Sequence, residues 1–500
     1  MTTQKHPKHF AGQKLSDKGL FRQQAYVNGV WVDGVDHRKI AVTDPATGAR
    51  LGQVPSLSGA QSLEAVEAAQ RAFARWANLL PQERADILHR WFRHMQEAKE
   101  DLAILMTLEQ GKPLSEARGE IDYAASFLEF YSEEAKRPNI ESVTSHLPTA
   151  EMEVWREPTG VAGLISPWNF PSAMITRKAG AALAAGCTAV VLPSSETPFS
   201  ALALAELAAR AGVPGGVFNV LTGGGEEVVS PWMESPAVRV LSFTGSTGIG
   251  RLLYSQSSAT MKRLVMELGG HAPFIVFADA DMERAVDEAI AAKFATSGQD
   301  CLAANRFFVE RPVYDEFCRA FAEKAAMLTV GPGMEDPDIG PLMNEAAVKK
   351  QVDHVRDAME KGARLLTGGE GHPAGPLFYS PTVLCDVPAD AAILREETFG
   401  PVAPVMPFDD EEEAVGRAND TEYGLVAYLH SRRPERIYRA TRALQFGMVA
   451  VNRTKVTGAP IPFGGVKQSG LGREGARLGL EAFTEVKYVC RDWAEPRTAR

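Results

Sequence analysis

Phe243-Thr244-Gly245-Ser246-Thr247-Gly248-Ile249-Gly250 ends the mostly apolar run 238–243 and opens a helix. A short apolar run, a glycine turn and a helix form the unit from which a parallel sheet with helices on both faces is built. Glycines let the backbone approach a pyrophosphate, and the N-terminus of the helix favours an anion. The spacing is not the usual G-x-G-x-x-G, so by itself it fits a plain αβ turn as well as a dinucleotide site. The flanking sequence repeats the unit. Residues 161–165, 189–192 and 217–221 are short apolar runs, separated by helical stretches at 172–185 and 199–211 and by the segment 227–233. A second series follows at 274–277, 305–309, 363–366 and 382–387, with helices such as 313–328 between. The alternation predicts an α/β fold.

The chain before this region reads differently. Residues 26–32 alternate apolar and polar around Asn28-Gly29, the signature of a hairpin. Asp44-Pro45-Ala46-Thr47-Gly48 is a turn. Leu63, Val66, Phe73, Trp76 and Leu80 recur at helical spacing, with Ser62 as the expected cap. Ile87, Leu88, Trp91, Phe92 and Met95 predict a second helix after Pro81, and 102–110 and 121–131 continue the pattern. The aromatic residues lie on the apolar stripe and are expected in the core. Residues 151–155 and 486–490 alternate as short, edge-like strands.

Composition narrows the function classes. A chain of 500 residues accommodates two or three domains with large cores. Its 45% hydrophobic and 23% charged residues are ordinary for a globular protein. Net charge is −10 and no dense Lys/Arg block occurs, so no nucleic-acid partner is expected. No apolar run reaches membrane-spanning length. Residues 1–20 are polar and mildly basic, lack the apolar stretch of a secretory signal, and are read as a disordered tail. The cysteines number five, with no C-x-x-C and no Cys/His metal spacing. That predicts a reducing, cytoplasmic setting with neither a disulfide framework nor a metal site.

Of Cys187, Cys301, Cys318, Cys385 and Cys490, four lie in helix-like or apolar surroundings. Cys301 alone lies in a polar break, Gly298-Gln299-Asp300-Cys301, between the helical run 282–295 and the strand-like run 305–309. A thiol there can meet a substrate, and nearby backbone N–H groups favour its thiolate. The competing reading of a lone cysteine is a small buried hydrophobe.

Its company decides between them. Pro167-Trp168-Asn169-Phe170-Pro171, the 243–250 stretch, Glu267-Leu268-Gly269-Gly270, Glu396-Glu397-Thr398-Phe399-Gly400-Pro401 and Pro462-Phe463-Gly464-Gly465 stand in register with Cys301. Together they resemble the aldehyde dehydrogenase superfamily over residues 21–488. Met106-Thr107-Leu108-Glu109-Gln110-Gly111-Lys112-Pro113-Leu114, residues 173–180 and Ser469-Gly470-Leu471-Gly472-Arg473-Glu474-Gly475 look most like its succinate-semialdehyde dehydrogenases. The resemblance implies two Rossmann-like parallel-sheet domains plus a small oligomerisation sheet. Segments 21–142 and 159–267 would form the dinucleotide-binding domain, 268–466 the catalytic domain, and 143–158 with 480–495 the oligomerisation segments. A homodimer or homotetramer is implied.

The resemblance also assigns roles. Cys301 is the expected nucleophile, which adds to the aldehyde, gives up hydride and becomes a thioester. Asn169 and the Cys301 N–H would hold the oxyanion. Glu267 would activate the water that cleaves the thioester, favouring release of a free acid over transfer to coenzyme A. Lys178 would support the oxyanion site. Gly245, Ser246 and Gly250 fall at the pyrophosphate, with Trp168 beside it; Glu397 would grip the nicotinamide ribose, with Phe399 nearby. Where the family usually has Lys before a Pro, this chain has Leu192, and Ser195 stands where NAD-preferring members often carry Glu. Losing the Lys and losing the acid act in opposite directions on NADP, so NAD is expected, with NADP possible.

For a carboxylate-bearing aldehyde the family supplies two arginines and a serine. Arg177 matches the first arginine, Ala295 replaces the second, and Thr457 replaces the serine. Either Arg453 or Lys455 would replace the missing arginine from another wall of the pocket, or the pair forms a solvent-facing basic loop; Phe463 is also expected to bind the substrate. Ala303 stands where some members carry a second cysteine, so no disulfide can join 301 to 303. The expected reaction is NAD(P)-dependent oxidation of a small aldehyde such as succinate semialdehyde. The alternatives are a neutral, amino-substituted or sulfonated aldehyde, or a catalytically silent nucleotide-binding or structural protein.

Overall fold

The computed structural model describes residues 14–137 and 139–492. An eight-stranded sheet runs in the order Gly470–Leu471, Arg263–Glu267, Val238–Thr244, Val161–Ile165, Thr188–Leu192, Phe218–Val220, Ala25–Val27, Val30–Val32. Its five central strands are parallel, and the flanking strands are antiparallel. The predicted hairpin forms its far edge; Asn28 and Gly29 both take positive φ, as a two-residue turn of matching twist requires. A seven-stranded sheet runs Arg364–Thr367, Thr382–Cys385, Val402–Phe408, Ala304–Glu310, Ala272–Val276, Val426–His430, Met448–Val451, parallel except at its first pair. Two parallel sheets were expected, but three strands of the second, Val402–Phe408, Val426–His430 and Met448–Val451, were not among the runs read from the sequence.

Position along the strands brings the motifs together. Val238–Thr244 pairs with Arg263–Glu267 on one side, with Thr244 opposite Glu267, and with Val161–Ile165 on the other, with Phe243 opposite Ile165. The stretches 167–171, 245–250 and 268–270 therefore leave the C-terminal ends of three adjacent parallel strands, where α/β sheets bind ligands. Ala272 and Ala304 pair at the start of the central strands of the second sheet. Cys301 thus enters that sheet from the end at which Gly270 leaves the first.

Four helices, Gly59–Ala77, Pro81–Glu97, Lys99–Gln110 and Leu114–Glu134, precede the first parallel strand. Trp76, Trp91, Phe127 and Tyr131 are buried in one continuous core with the helix Ala173–Ala185. The cap of the first helix differs from expectation. Ser58, not Ser62, is the N-cap, in a reciprocal box with Gln61. Ser62 lies inside the helix, where its hydroxyl donates to Val228 O at 2.7 Å and accepts from Trp232 Nε1 at 2.8 Å. The Asp44–Gly48 turn joins strands Lys39–Thr43 and Arg50–Pro55, which pair with each other alone.

The expected disordered tail is corrected in part. Residues 1–13 lie outside the described residues, but 14–20 are packed: Leu15 and Leu20 are buried, and Asp101 accepts from the Ser16 and Asp17 amides at 2.8 and 2.7 Å. The two edge-like segments do pair. Thr484–Asp492 runs antiparallel to Ala150–Pro158, which pairs in turn with Ile140–Val143. Of the segment 480–495, residues 493–495 lie outside the described residues. No helix among the described residues is long and apolar enough to cross a membrane.

Candidate active site

A cavity of about 440 Å³ opens between the strand ends of the two sheets. Of the residues singled out from sequence, it is lined by Trp168, Asn169, Arg177, Gly245, Ser246, Cys301, Glu397, Phe399, Thr457 and Phe463. Trp168 and Phe399 meet edge to face, with ring centres 5.6 Å apart. Ser246 caps the helix Thr247–Ser257 by accepting from the Ile249 amide. Glu397 accepts from the Gly270 N–H at 2.8 Å, and its backbone carbonyl accepts from the Lys350 ammonium. Burial raises the Glu397 carboxyl to about 7.

Cys301 is half-buried at the end of a constrained loop. Thr296, Ser297 and Gly298 all have positive φ. A Cβ on Gly298 would lie 2.3 Å from Gly400 O, and one on Gly270 would lie 2.2 Å from Cys301 O. Both glycines are therefore required by close backbone approach. The Asn169 amide donates to Gln299 O at 3.0 Å, two residues before the thiol. The expectation of a thiolate favoured at this break is corrected for the protein as it stands: burial raises the Cys301 thiol well above its ordinary value, and the Asp300 and Glu397 carboxyl groups add to the effect.

Glu267 lies behind the cavity rather than on its wall. It is 2% exposed, and neither carboxyl oxygen has a hydrogen-bond partner. Burial, then the nearby Glu474 carboxylate, raises it well above the carboxylate range. A Cβ on Gly464 would meet Glu267 Oε1 at 2.7 Å, so the glycine after Phe463 makes room for this side chain. A carboxyl raised in this way holds its proton at rest, and must lose it before it can act as a base on water.

Arg177 and Lys178 follow each other on the helix Ala173–Ala185 and share one acid, Glu474. Arg177 Nε donates to Glu474 Oε2 at 2.6 Å. Lys178 donates to Glu474 and to Thr244 Oγ1, the latter at 2.6 Å, and Ser242 Oγ donates to Glu474 at 2.9 Å. Arg177 also lies 4.1 Å above the Phe463 ring, and its Nη1 is buried without a partner. Lys178 faces Thr244 and Glu474 and is not on the cavity wall. Sequence reasoning gave Glu474 no role. Its only signal was a place in the 469–475 stretch, because its partners lie hundreds of residues away in the chain. Tyr123 and Lys350 also line the cavity without having been singled out, as does Asp300, named before only as part of the break that carries the thiol.

Besides Glu267 and Lys178, three more expected residues are off the cavity wall. Gly250 is one turn into its helix, where a Cβ would collide with Leu268 at 2.4 Å, so its glycine serves packing against the next strand's end. Ser195 is exposed beyond buried Leu192. Arg453 is exposed and lines neither this cavity nor the smaller one beside it. That side cavity, about 150 Å³, is lined by Ala295, Tyr428 and Lys455 and shares Asp300, Leu302 and Thr457 with the main one. The remaining cysteines are mostly inert in position: Cys187, Cys318 and Cys385 are buried, whereas Cys490, expected in apolar surroundings, is exposed on the strand Thr484–Asp492. Among the described residues no cluster could hold a metal.

Comparison with known proteins agrees with this geometry. The Aldehyde dehydrogenase family matches residues 31–489. A succinate-semialdehyde dehydrogenase [NADP(+)] of Escherichia coli is 51% identical over 478 residues, covering 95% of this chain and 99% of that protein. A glutarate-semialdehyde dehydrogenase of Pseudomonas aeruginosa is 50% identical over 478 residues, with 95% and 99% covered. The crystal structure of an E. coli NADP-dependent enzyme superposes with a TM-score of 0.95 at 51% identity, covering 96% of this chain and all of that one. The chain belongs to the aldehyde dehydrogenase family. It is an NAD(P)-dependent oxidoreductase that turns an aldehyde into an acid through a cysteine thiohemiacetal and thioester.

Proposed function

We propose that the physiological substrate is a small aldehyde with an anionic far end, succinate semialdehyde or a close homologue. The observation that carries this is the Arg177 guanidinium: buried in the cavity wall, stacked on Phe463, with Nη1 still lacking a partner. A carboxylate at that nitrogen would gain a charge-assisted bond and remove an unsatisfied buried donor. The names of the two semialdehyde dehydrogenase relatives support the same class. Both replacement cations are exposed, but Lys455, unlike Arg453, lines the side cavity with Ala295 and is the better placed of the two.

In this reading Cys301 attacks the aldehyde carbon while the Asn169 amide and the Cys301 N–H hold the oxygen. Once ionised, Glu267 accepts the proton of the hydrolytic water, and Lys178 fixes Glu474 and Thr244 behind the site. Gly245 and Ser246 offer a helix N-terminus to the coenzyme phosphates, Gly250 letting that helix pack on Leu268, with Trp168 and Phe399 beside them and Glu397 at the ribose. The coenzyme, when bound, accepts the hydride. Leu192 offers no cation and exposed Ser195 no acid toward a 2′-phosphate, so NAD is preferred and NADP tolerated.

The eight-stranded sheet with the segments 21–142 and 159–267 forms the coenzyme domain, and 268–466 the catalytic domain. The three-stranded sheet (segments 143–158 and 480–495) joins subunits of a cytoplasmic homodimer or homotetramer. The substrate reading is tested by kinetics on an acidic and a neutral aldehyde of equal length. Lys455→Met should lower kcat/KM for succinate semialdehyde about tenfold or more, the value of one charged hydrogen bond, and leave butanal nearly unchanged. Equal losses on both would remove Lys455 from the anion site.

A further inference from the structure

Two acids one turn apart, Glu116 and Glu120 on the helix Leu114–Glu134, each hold one half of the reacting site. Residues four apart share a helix face. Glu116 reaches the loop that carries the thiol: both its carboxyl oxygens accept from the Thr296 N–H at 3.0 Å, and Oε2 also accepts from Thr296 Oγ1 at 3.2 Å. Thr296 and Ser297 are non-glycine residues in the left-handed region, a conformation that persists only where the surroundings impose it. Glu120 reaches the other half. Its Oε1 accepts from the Ser172 and Ala173 amides at 2.9 and 3.1 Å, at the start of the helix that carries Arg177 and Lys178. Its Oε2 accepts from Lys112 Nζ at 2.6 Å, and Lys112 donates onward to Asn169 O at 2.8 Å. The Lys112–Glu120 pair is buried, and Lys112 lies 4.1 Å above the Phe170 ring. Asn169 Nδ2 then donates to Gln299 O, closing a ring of contacts through both halves.

We propose that Glu116 and the Lys112–Glu120 pair are positioning residues that fix the separation between the Cys301 thiol and the Asn169 amide. The inference rests on the reading of Cys301 as nucleophile and Asn169 as oxyanion donor. The clamp adds no charge to the reacting atoms; it sets where the oxyanion lies relative to its donor, and an error of about 1 Å there costs on the order of a hundredfold in rate.

The test compares Glu116→Ala, Glu116→Gln, Lys112→Met and Cys301→Ala with the parent, each checked for thermal unfolding and coenzyme affinity. Glu116→Ala should lower kcat by about ten- to a hundredfold, leave coenzyme affinity unchanged and alter the rate of Cys301 alkylation by iodoacetamide. Glu116→Gln should restore most of kcat, because its amide oxygen still accepts from Thr296. Lys112→Met should lower kcat with the Cys301 alkylation rate unchanged. A folded Glu116→Ala with parental kcat, or a glutamine variant no better than alanine, overturns the role of Glu116. Should the alanine variant not fold, Glu116→Gln and Lys112→Met carry the test, and parental kcat in Lys112→Met overturns the Asn169 half. Turnover that survives Cys301→Ala refutes the underlying reading instead. Turnover lost there but kept in both clamp variants refutes the clamp alone.

Discussion

Cys301 has three carboxyl groups, Asp300, Glu397 and Glu267, working with burial against its ionisation, and the Arg177 guanidinium opposing them. A protonated resting thiol is guarded from adventitious oxidation and alkylation. In the coenzyme-free protein, alkylation of Cys301, followed on its own peptide because Cys490 is exposed, should still accelerate as pH rises past the ordinary thiol value of 9.0. A plateau near neutrality would contradict the raised value. This part of the site was only half legible in the sequence. The polar break around Cys301 marked an accessible thiol correctly, but its acid neighbour Glu397 is 96 residues on, and the sign of the shift depends on their meeting. Glu474 shows the same limit: its importance lies in the convergence of Arg177, Lys178 and Ser242, a fact of folding rather than of local pattern.

At the scale of elements, the approach of the two sheets depends on glycines at their facing ends. Gly270→Ala would place a Cβ 2.2 Å from Cys301 O. Backbone cannot yield cheaply there, so the thiol loop must move. Gly270→Ala should keep coenzyme binding and lose about a hundredfold in kcat; parental kcat would show that the loop has room to yield. The strand–glycine–helix unit at 243–250 and the alternation around it were readable because short buried strands and amphipathic helices have different periods. Ser62 misled because a serine before an apolar stripe resembles a cap. Ser58 took that role once Gln61 could complete the reciprocal bonds, leaving Ser62 to satisfy Val228 and Trp232. Tail residues 14–20 were missed because what orders them is Asp101, a distant acid.

For the whole molecule, the three-stranded sheet leaves Ile140, Val143, Val486 and Tyr488 largely exposed, between 44% and 61%. Apolar side chains on a small open sheet are stable in water chiefly when another surface covers them. If they join subunits, Val486→Glu combined with Tyr488→Glu should shift the protein to a smaller species in sedimentation. An unchanged assembly would place the interface elsewhere.

In the proposed function a buried guanidinium selects an anionic aldehyde in front of a cysteine nucleophile. Steady-state kcat/KM for succinate semialdehyde against butanal, each with NAD and with NADP, tests it most directly. A preference for the acidic aldehyde of about a hundredfold is expected, the worth of charged hydrogen bonds in a buried site. Faster turnover of butanal than of succinate semialdehyde, with either coenzyme, would contradict it.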